Sequence, residues 1–209
     1  MAQYFRIHPT HPQARLVRQA AEIVRAGGLV VHPTDSFYAL GCRPGEARAL
    51  ARLRRLRGLD EKHRLTLLFR DLAQIATYAI VDDVQFRLLR AATPGSFTFL
   101  LRATREVPRR LLQPRRRTIG VRVPDHPVAL ALLEALGEPM LSATLALAGD
   151  ETPLDDPRAI RARLEHEVDL VIDSGSCGIE PTTVVDLTGA VPTIVRRGKN
   201  FERLLKLVA

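Results

Sequence analysis

The sequence predicts an α/β fold, a single domain over residues 1–209 built on a twisted, mixed sheet flanked by helices. Three observations carry this. Short apolar or β-branched runs such as Leu29-Val30-Val31 and Thr118-Ile119-Gly120-Val121-Arg122-Val123 have the length and composition of strands. They are interleaved with segments of helical period, seen most clearly over residues 15–26, where Leu16, Val17, Ala20, Ile23 and Val24 share one face. Several strand-like runs also follow one another with no helix between them, which a strict βαβ alternation does not give.

The bulk numbers agree. A chain of 209 residues, 46% apolar and 26% charged, suits one soluble domain with a sizeable core. No apolar run approaches the roughly 20 residues that span a bilayer, and residues 1–11 lack an apolar secretory segment. The cytoplasm is therefore the expected location, with no membrane partner. Cys42 and Cys177 stand far apart with no metal-ligand spacing to a histidine, so both read as free, buried or half-buried thiols. The net charge of +8 favours an anionic partner such as a nucleotide or RNA.

The elements follow in order. The helix over residues 15–26 stops at Gly27-Gly28, and glycine accepts the left-handed conformation that ends helices. The strand over residues 29–31 should end at Pro33, which cannot donate to a ladder. Thr34, Asp35 and Ser36 follow at once. They stand either at a strand's carboxyl end, where open α/β sheets bind ligands, or in a polar turn that caps the next helix. A second helix, residues 46–57, concentrates Arg48, Arg52, Arg54, Arg55 and Arg57 around a leucine face. Residues 58–63 read as a loop and 65–69 as a strand. Residues 73–90 hold two short helices, with Asp82-Asp83 capping the second. Residues 97–101 and 118–123 read as strands, 128–136 as an apolar helix stopped by Gly137, and 140–147 as a strand. Asp156 and Pro157 open a helix reaching residue 165. Strands at 168–173, 182–187 and 192–195 and a helix at 201–208 complete the chain.

The run between Arg102 and Arg117 is the strongest local basic cluster. It contains no aromatic residue, which points to phosphate contact rather than base stacking. Gly-rich phosphate loops and a G-x-S-x-G elbow are absent, and the six histidines show no metal spacing, so no resident metal site is expected. Arg122 sits within an otherwise apolar strand. A buried guanidinium needs an anion, so an anionic ligand or an acidic neighbour should face it.

Five motifs in this order resemble the YrdC-like family, related to threonylcarbamoyl-AMP synthases, and are nearest its YciO branch. They are Pro33-Thr34-Asp35-Ser36-x-Tyr38-Ala39-Leu40-Gly41, Pro94-Gly95-x-x-Thr98-Phe99, residues 118–127, Pro139-Met140-Leu141-Ser142, and Pro181-Thr182-Thr183-Val184-Val185-Asp186. The resemblance implies a concave, basic face on the sheet. It implies condensation of ATP, bicarbonate and L-threonine or a related amino acid to an acyl-adenylate with release of pyrophosphate, feeding tRNA modification. ATP would be a substrate, bound with Mg²⁺.

By the same resemblance, Arg55 and Arg57 stand at the family's Lys-x-Arg pair and would act on phosphates. Ser36 and Arg122 would hold the amino acid, and Thr118, Ser142, Thr144 and Arg196 the nucleotide. The chain departs from the family pattern at Thr144-Leu145-Ala146, where the family has Ser-x-Asn, and at Leu65-Thr66, Phe69 and Pro181. A different reading is a double-stranded RNA or tRNA-binding protein with little or no catalysis, using Arg109, Arg110, Arg115, Arg116 and Arg117.

Overall fold

The computed structural model describes residues 1–60, 63, 65–112 and 117–208. The elements are β1 (Gln3–Arg6), α1 (Ala14–Arg25), β2 (Val30–His32), β3 (Ala39–Cys42), α2 (Ala47–Arg57), β4 (Thr66–Leu68), α3 (Leu72–Tyr78), β5 (Ala79–Ile80) and α4 (Asp83–Ala92). They continue with β6 (Phe97–Ala103), β7 (Thr118–Arg122), α5 (Pro127–Leu136), β8 (Met140–Thr144), α6 (Pro157–Leu164), β9 (Leu170–Asp173), β10 (Thr183–Asp186), β11 (Thr193–Arg196) and α7 (Phe201–Val208). Local chemistry sets many of the boundaries. Glu46 caps α2 and Gly58 ends it at φ 62°. Asp82 and Gln85 form a reciprocal capping box at α4. Asp156 caps α6, whose first residue is Pro157, and Gly137 closes α5 at φ 74°.

Among the described residues the strands join one mixed sheet in the order β1-β9-β2-β3-β8-β4-β7-β6-β10-β11, with β5 pairing β6 beyond the end of β10. Three strands were not foreseen; one is β5, inside the stretch expected to hold two helices. β1 pairs in parallel with β9, and β3 lies antiparallel to both β2 and β8. Because β2 runs directly to β3, Thr34–Ser36 cap no helix; they form the connection between two sheet strands.

Side chains alternate across the sheet, and its two faces differ. One face puts Val31, Leu40, Leu67, Phe97, Phe99, Ile119, Val121 and Leu141 into the main core, against α2, α4, α6 and α7. The other face is only half covered. There α1 and α5 pack on Val30, Leu68, Met140, Leu170 and Ile172. Beyond those helices the same face turns polar. β8 shows the change within one strand: Met140 lies under the helices, while Ser142 and Thr144, two and four residues on, line an open cavity. The uncovered half of the sheet is where a ligand can reach the strands. Both cysteines are free thiols, Cys42 buried and Cys177 half-buried, and burial raises each to about 12, far from a reactive thiolate.

Candidate functional site

A cavity of about 470 Å³ opens on the uncovered face. Its floor is strand: Thr66 and Leu68 of β4, Thr98 and Leu100 of β6, Arg122 of β7, Ser142 and Thr144 of β8, and Val184 of β10. Its walls are Thr34, Ser36 and Phe37 of the β2–β3 connection, Arg57 at the end of α2, His63, Thr182 and Arg196. The ladder fixes this set. Thr66 stands opposite Ser142 on one side and Gly120 on the other, and Leu68 stands opposite Arg122. A Cβ at Gly120 would lie 2.7 Å from the Thr66 hydroxyl, so a glycine is required at that point of the floor.

Arg122 is 7% exposed. Its Nη2 donates to Asp35 Oδ1 and its Nη1 to Ser36 Oγ at 3.2 Å, while Nε, also buried, has no partner. Asp35 is the node of this network. Its Oδ2 accepts from Ser96 Oγ at 2.5 Å, its Oδ1 also accepts from Asp125 N at 3.1 Å, and its backbone oxygen accepts from Lys199 Nζ at 2.6 Å. Burial alone would raise the Asp35 carboxyl. The Arg122 charge, then the Ser96 hydroxyl, outweigh it and hold the carboxyl below its ordinary value. For Arg122 burial pulls downward and Asp35 opposes it; a guanidinium keeps its charge throughout. The sequence asked for an anionic ligand or an acidic neighbour for this arginine. The acid is Asp35, and the buried Nε is left without a partner among the described residues.

Thr34 shapes the connection. Its hydroxyl donates to Phe37 O at 2.6 Å and accepts from the backbone N–H groups of Ser36 and Phe37, each at 3.2 Å. His32, fully buried, links this turn to β8. Its Nδ1 is 3.2 Å from Pro33 O, and its Nε2 is 3.3 Å from Ser142 Oγ. Burial pushes its pKa down to about 4, so the ring is neutral near pH 7. A carbonyl only accepts, so Nδ1 carries the proton, Nε2 accepts, and the Ser142 hydroxyl donates to it. Ser142 therefore turns lone pairs, not its proton, toward the cavity.

Two more arginines reach the cavity. Arg57 Nη1 donates to Ala146 O, its buried Nε has no partner, and burial lowers its pKa. Arg196 is laid along the wall by bonds from Nε to Thr182 O at 3.1 Å and from Nη2 to Thr182 Oγ1 at 3.0 Å. Burial, then the Arg122 charge, lower it as well. With Arg57, Arg122 and Arg196 on it and no carboxylate among its described lining residues, the cavity is electropositive.

Of the residues expected at a site, Ser36, Arg57, Arg122, Ser142, Thr144 and Arg196 line this one cavity. Arg55 does not. Residues two apart on a helix point roughly 200° away from each other, and Arg55 pairs with Glu167 with its side chain 62% exposed. Thr118 shares the sheet face but lines a neighbouring cavity with Arg102 and Arg117. Arg109 and Arg110 lie on a single 3₁₀ turn, where Arg54 Nη2 donates to Arg110 O at 3.3 Å, whereas Arg117 lines the neighbouring cavity. Arg115 and Arg116 lie outside the described residues. His32 had no role assigned from the sequence. Asp35 was placed with Thr34 and Ser36 at a strand end or polar turn, and its pairing with Arg122 was signalled only by the demand that arginine makes for an acid.

Fold and site together define an α/β protein with an arginine-lined ligand cavity on the uncovered half of a mixed sheet. The chain belongs to the Sua5/YciO/YrdC family: the family model, described as "Telomere recombination", matches residues 22–198. It is 56% identical over 198 residues to YciO of Escherichia coli K12, covering 95% of this chain and 96% of YciO. It superposes on the crystal structure of E. coli YciO with a TM-score of 0.91, over 95% of this chain and 97% of that one. It is 34% identical over 172 residues to the threonylcarbamoyl-AMP synthase of Halorhodospira halophila, covering 81% of this chain and 89% of the synthase. P. abyssi Sua5 complexed with L-threonine shares the fold, with a TM-score of 0.86 at 24% identity, over the whole of this chain and 62% of Sua5. Among the described residues no helix is long and apolar enough to cross a membrane, and no group of three or more His, Cys, Asp or Glu is placed to hold a metal ion.

Proposed function

We propose that the cavity binds ATP beside an amino acid of the L-threonine type and, with bicarbonate, forms an acyl-adenylate with release of pyrophosphate. The observation that carries this reading is the convergence of Arg57, Arg122 and Arg196 on one cavity beside Ser36 and Ser142. Relatedness to threonylcarbamoyl-AMP synthases and the L-threonine complex of a protein with the same fold support the substrate class.

The chemistry needs little covalent help. Addition of the amino group to bicarbonate, with loss of water, gives an N-carboxy amino acid. Its carbamate oxygen attacks the α-phosphorus, the bond to the β-phosphate oxygen breaks, and pyrophosphate leaves. The chain's residues would supply position and charge. The Arg122 guanidinium, beside Ser36, would take the amino acid's carboxylate. Arg57 would stabilise charge growing on the leaving pyrophosphate, and Arg196 the nucleotide. The Ser142 lone pairs would accept from a ligand N–H or O–H. Among the described residues the lining offers hydroxyls and guanidinium groups, not carboxylates, a set that does not suit a resident cation. Mg²⁺ would arrive on ATP, held by its phosphates. The RNA-binding reading has less support: of its arginines that the structure describes, Arg109 and Arg110 lie on a turn beside α2 and Arg117 lines a separate cavity.

The test is incubation of the protein with ATP, bicarbonate and each amino acid in turn, with pyrophosphate detection and mass analysis of the adenylate. Pyrophosphate and an adenylate of N-carboxy-threonine or a close analogue are expected. No pyrophosphate with any amino acid would remove the reading.

A further inference from the structure

We infer that His63 is the general base of the proposed reaction, taking the proton that the amino acid must lose before its nitrogen can add to bicarbonate; the inference rests on that reaction. Among the described lining residues, the ionisable groups are Arg57, Arg122, Arg196 and His63. The guanidinium groups keep their protons throughout. Of these side chains His63 alone can accept a proton near neutral pH. His32 reaches the cavity only through Ser142. It is fully buried with a pKa of about 4, so it is a poor acceptor.

Local structure brings His63 to the cavity. α2 ends in a Schellman turn: Leu59 N donates to Arg54 O at 2.9 Å and Gly58 N to Arg55 O at 3.2 Å, with Gly58 at φ 62°. Leu59 packs against the main core, and His63 N donates to Asp60 O at 3.3 Å. The chain thus turns back at the end of α2, and the ring joins the cavity wall beside Arg57.

The charged groups facing His63 are Arg54 and Arg57 of α2 and Asp60 of the turn. Loss of water around the ring, then the Arg57 charge, lower its pKa from 6.5; Asp60 opposes this and Arg54 adds to it. The ring is therefore mostly neutral near pH 7, as a base must be. The position fits as well. With the carboxylate at Arg122 and the phosphates at Arg57, the reacting nitrogen lies between them, since its carbamate oxygen must reach the α-phosphorus. His63 stands at the phosphate end of that line and is exposed to solvent.

The steps balance. The amino acid arrives as R–NH₃⁺, gives one proton to the unprotonated ring nitrogen of His63 and becomes R–NH₂. The nitrogen lone pair adds to the bicarbonate carbon and a C–N bond forms. The bicarbonate hydroxyl leaves as water with a second nitrogen proton, and R–NH–COO⁻ remains. His63, now imidazolium, adds a positive charge beside Arg57 while negative charge grows on the leaving pyrophosphate. It then returns its proton to water at the rim.

The test separates a base from a phosphate contact by running the reaction in two directions. Synthesis is read as pyrophosphate release from L-threonine, bicarbonate and MgATP. Pyrophosphorolysis of supplied threonylcarbamoyl-adenylate, read as ATP formed, reverses only the second step and needs no proton transfer. Wild type, His63→Gln and His63→Ala are compared as a function of pH, with thermal melts to show that each is folded. His63→Gln should slow synthesis about a hundredfold, and pyrophosphorolysis at least about tenfold less than that. Wild-type synthesis should level off above the His63 pKa, whereas the variant's should keep rising with pH as free amine accumulates. Added imidazole should restore part of the His63→Ala rate, which tests the assignment where His63→Gln melts early. Equal losses in the two directions make His63 a phosphate contact and overturn the base. Synthesis within a few-fold of wild type overturns it too, as does one pH profile shared by wild type and His63→Gln, or no rescue by imidazole. No pyrophosphate from the wild type removes the proposed reaction and this inference with it; wild-type synthesis with any of the other contrary results removes this inference alone.

Discussion

Replacing Asp35 by alanine should destabilise the fold more than any other single change at the site. The carboxylate is the acceptor for Arg122 Nη2, Ser96 Oγ and Asp125 N. The Arg122 side chain is 8% exposed and that of Asp35 9%, so water cannot take over these bonds cheaply. Removing one partner of a buried pair leaves an uncompensated charge, a cost of about 3–5 kcal/mol. In a chain of this length that is a fall in Tm of roughly 6–20 °C. Arg122→Met should cost less, because Asp35 keeps Ser96 and Asp125 N and can accept a proton once its cation is gone. The double variant Asp35→Ala/Arg122→Met should recover part of the first loss, a coupling of about 2 kcal/mol. Equilibrium urea unfolding of the four proteins, followed by circular dichroism, completes the cycle. A cost below about 1 kcal/mol for Asp35→Ala, or strict additivity of the two changes, would refute the claim that this pair organises the site.

Three further outcomes follow from the same geometry. His32 is neutral when folded, with its pKa moved from 6.5 to about 4. The unfolded chain therefore takes up a proton first as pH falls below 6.5, so the stability due to a neutral His32 is present above pH 6.5 and is lost progressively down to about pH 4. The loss is at most about 3 kcal/mol; His32→Gln should flatten the urea-midpoint slope across that window, and an unchanged slope would contradict it. Arg57→Ala should cut pyrophosphate release about a hundredfold or more, whereas Arg55→Ala should stay within a few-fold of wild type, because only Arg57 faces the cavity and a surface pair such as Arg55–Glu167 is worth about 1 kcal/mol at most; equal losses in a steady-state assay would reverse that assignment. Gly120→Ala should destabilise by about 1–3 kcal/mol in urea unfolding and weaken ligand binding, since its Cβ would meet the Thr66 hydroxyl and lie 3.1 Å from Leu65 O.

Much of the fold was legible because period and punctuation agreed. The amphipathic pattern placed α1 within a residue of its bounds. Gly58 and Gly137 marked helix ends by their left-handed φ, and Asp82 and Asp156 marked beginnings. The strand β3 was missed because Ala39-Leu40-Gly41-Cys42 is buried on both faces and shows no alternation. β1 was missed because Gln3–Arg6 pairs with a single neighbour in the sheet order and carries mixed polarity.

The site was legible residue by residue, but not in the relation between residues. Motif resemblance brought Ser36, Arg122, Ser142, Thr144 and Arg196 forward, and the ladder registers gather them. It also joined Arg55 to Arg57, which helical geometry separates, and gave Thr118 to the nucleotide, which β7 places in the neighbouring cavity. Asp35 stands next to Ser36 in sequence, yet its role depends on Arg122, 87 residues away. Pairing over that distance leaves no local signal beyond the requirement that a buried arginine find an acid.

The most direct measurement is a crystal structure of the protein with L-threonine and a non-hydrolysable ATP analogue. The account predicts the amino acid's carboxylate on the Arg122 guanidinium beside Ser36, and the phosphates against Arg57 and Arg196, with the Asp35–Arg122 pair intact. Both ligands bound elsewhere, or phosphates seated away from Arg57 and Arg196 with the cavity filled by solvent, would contradict it.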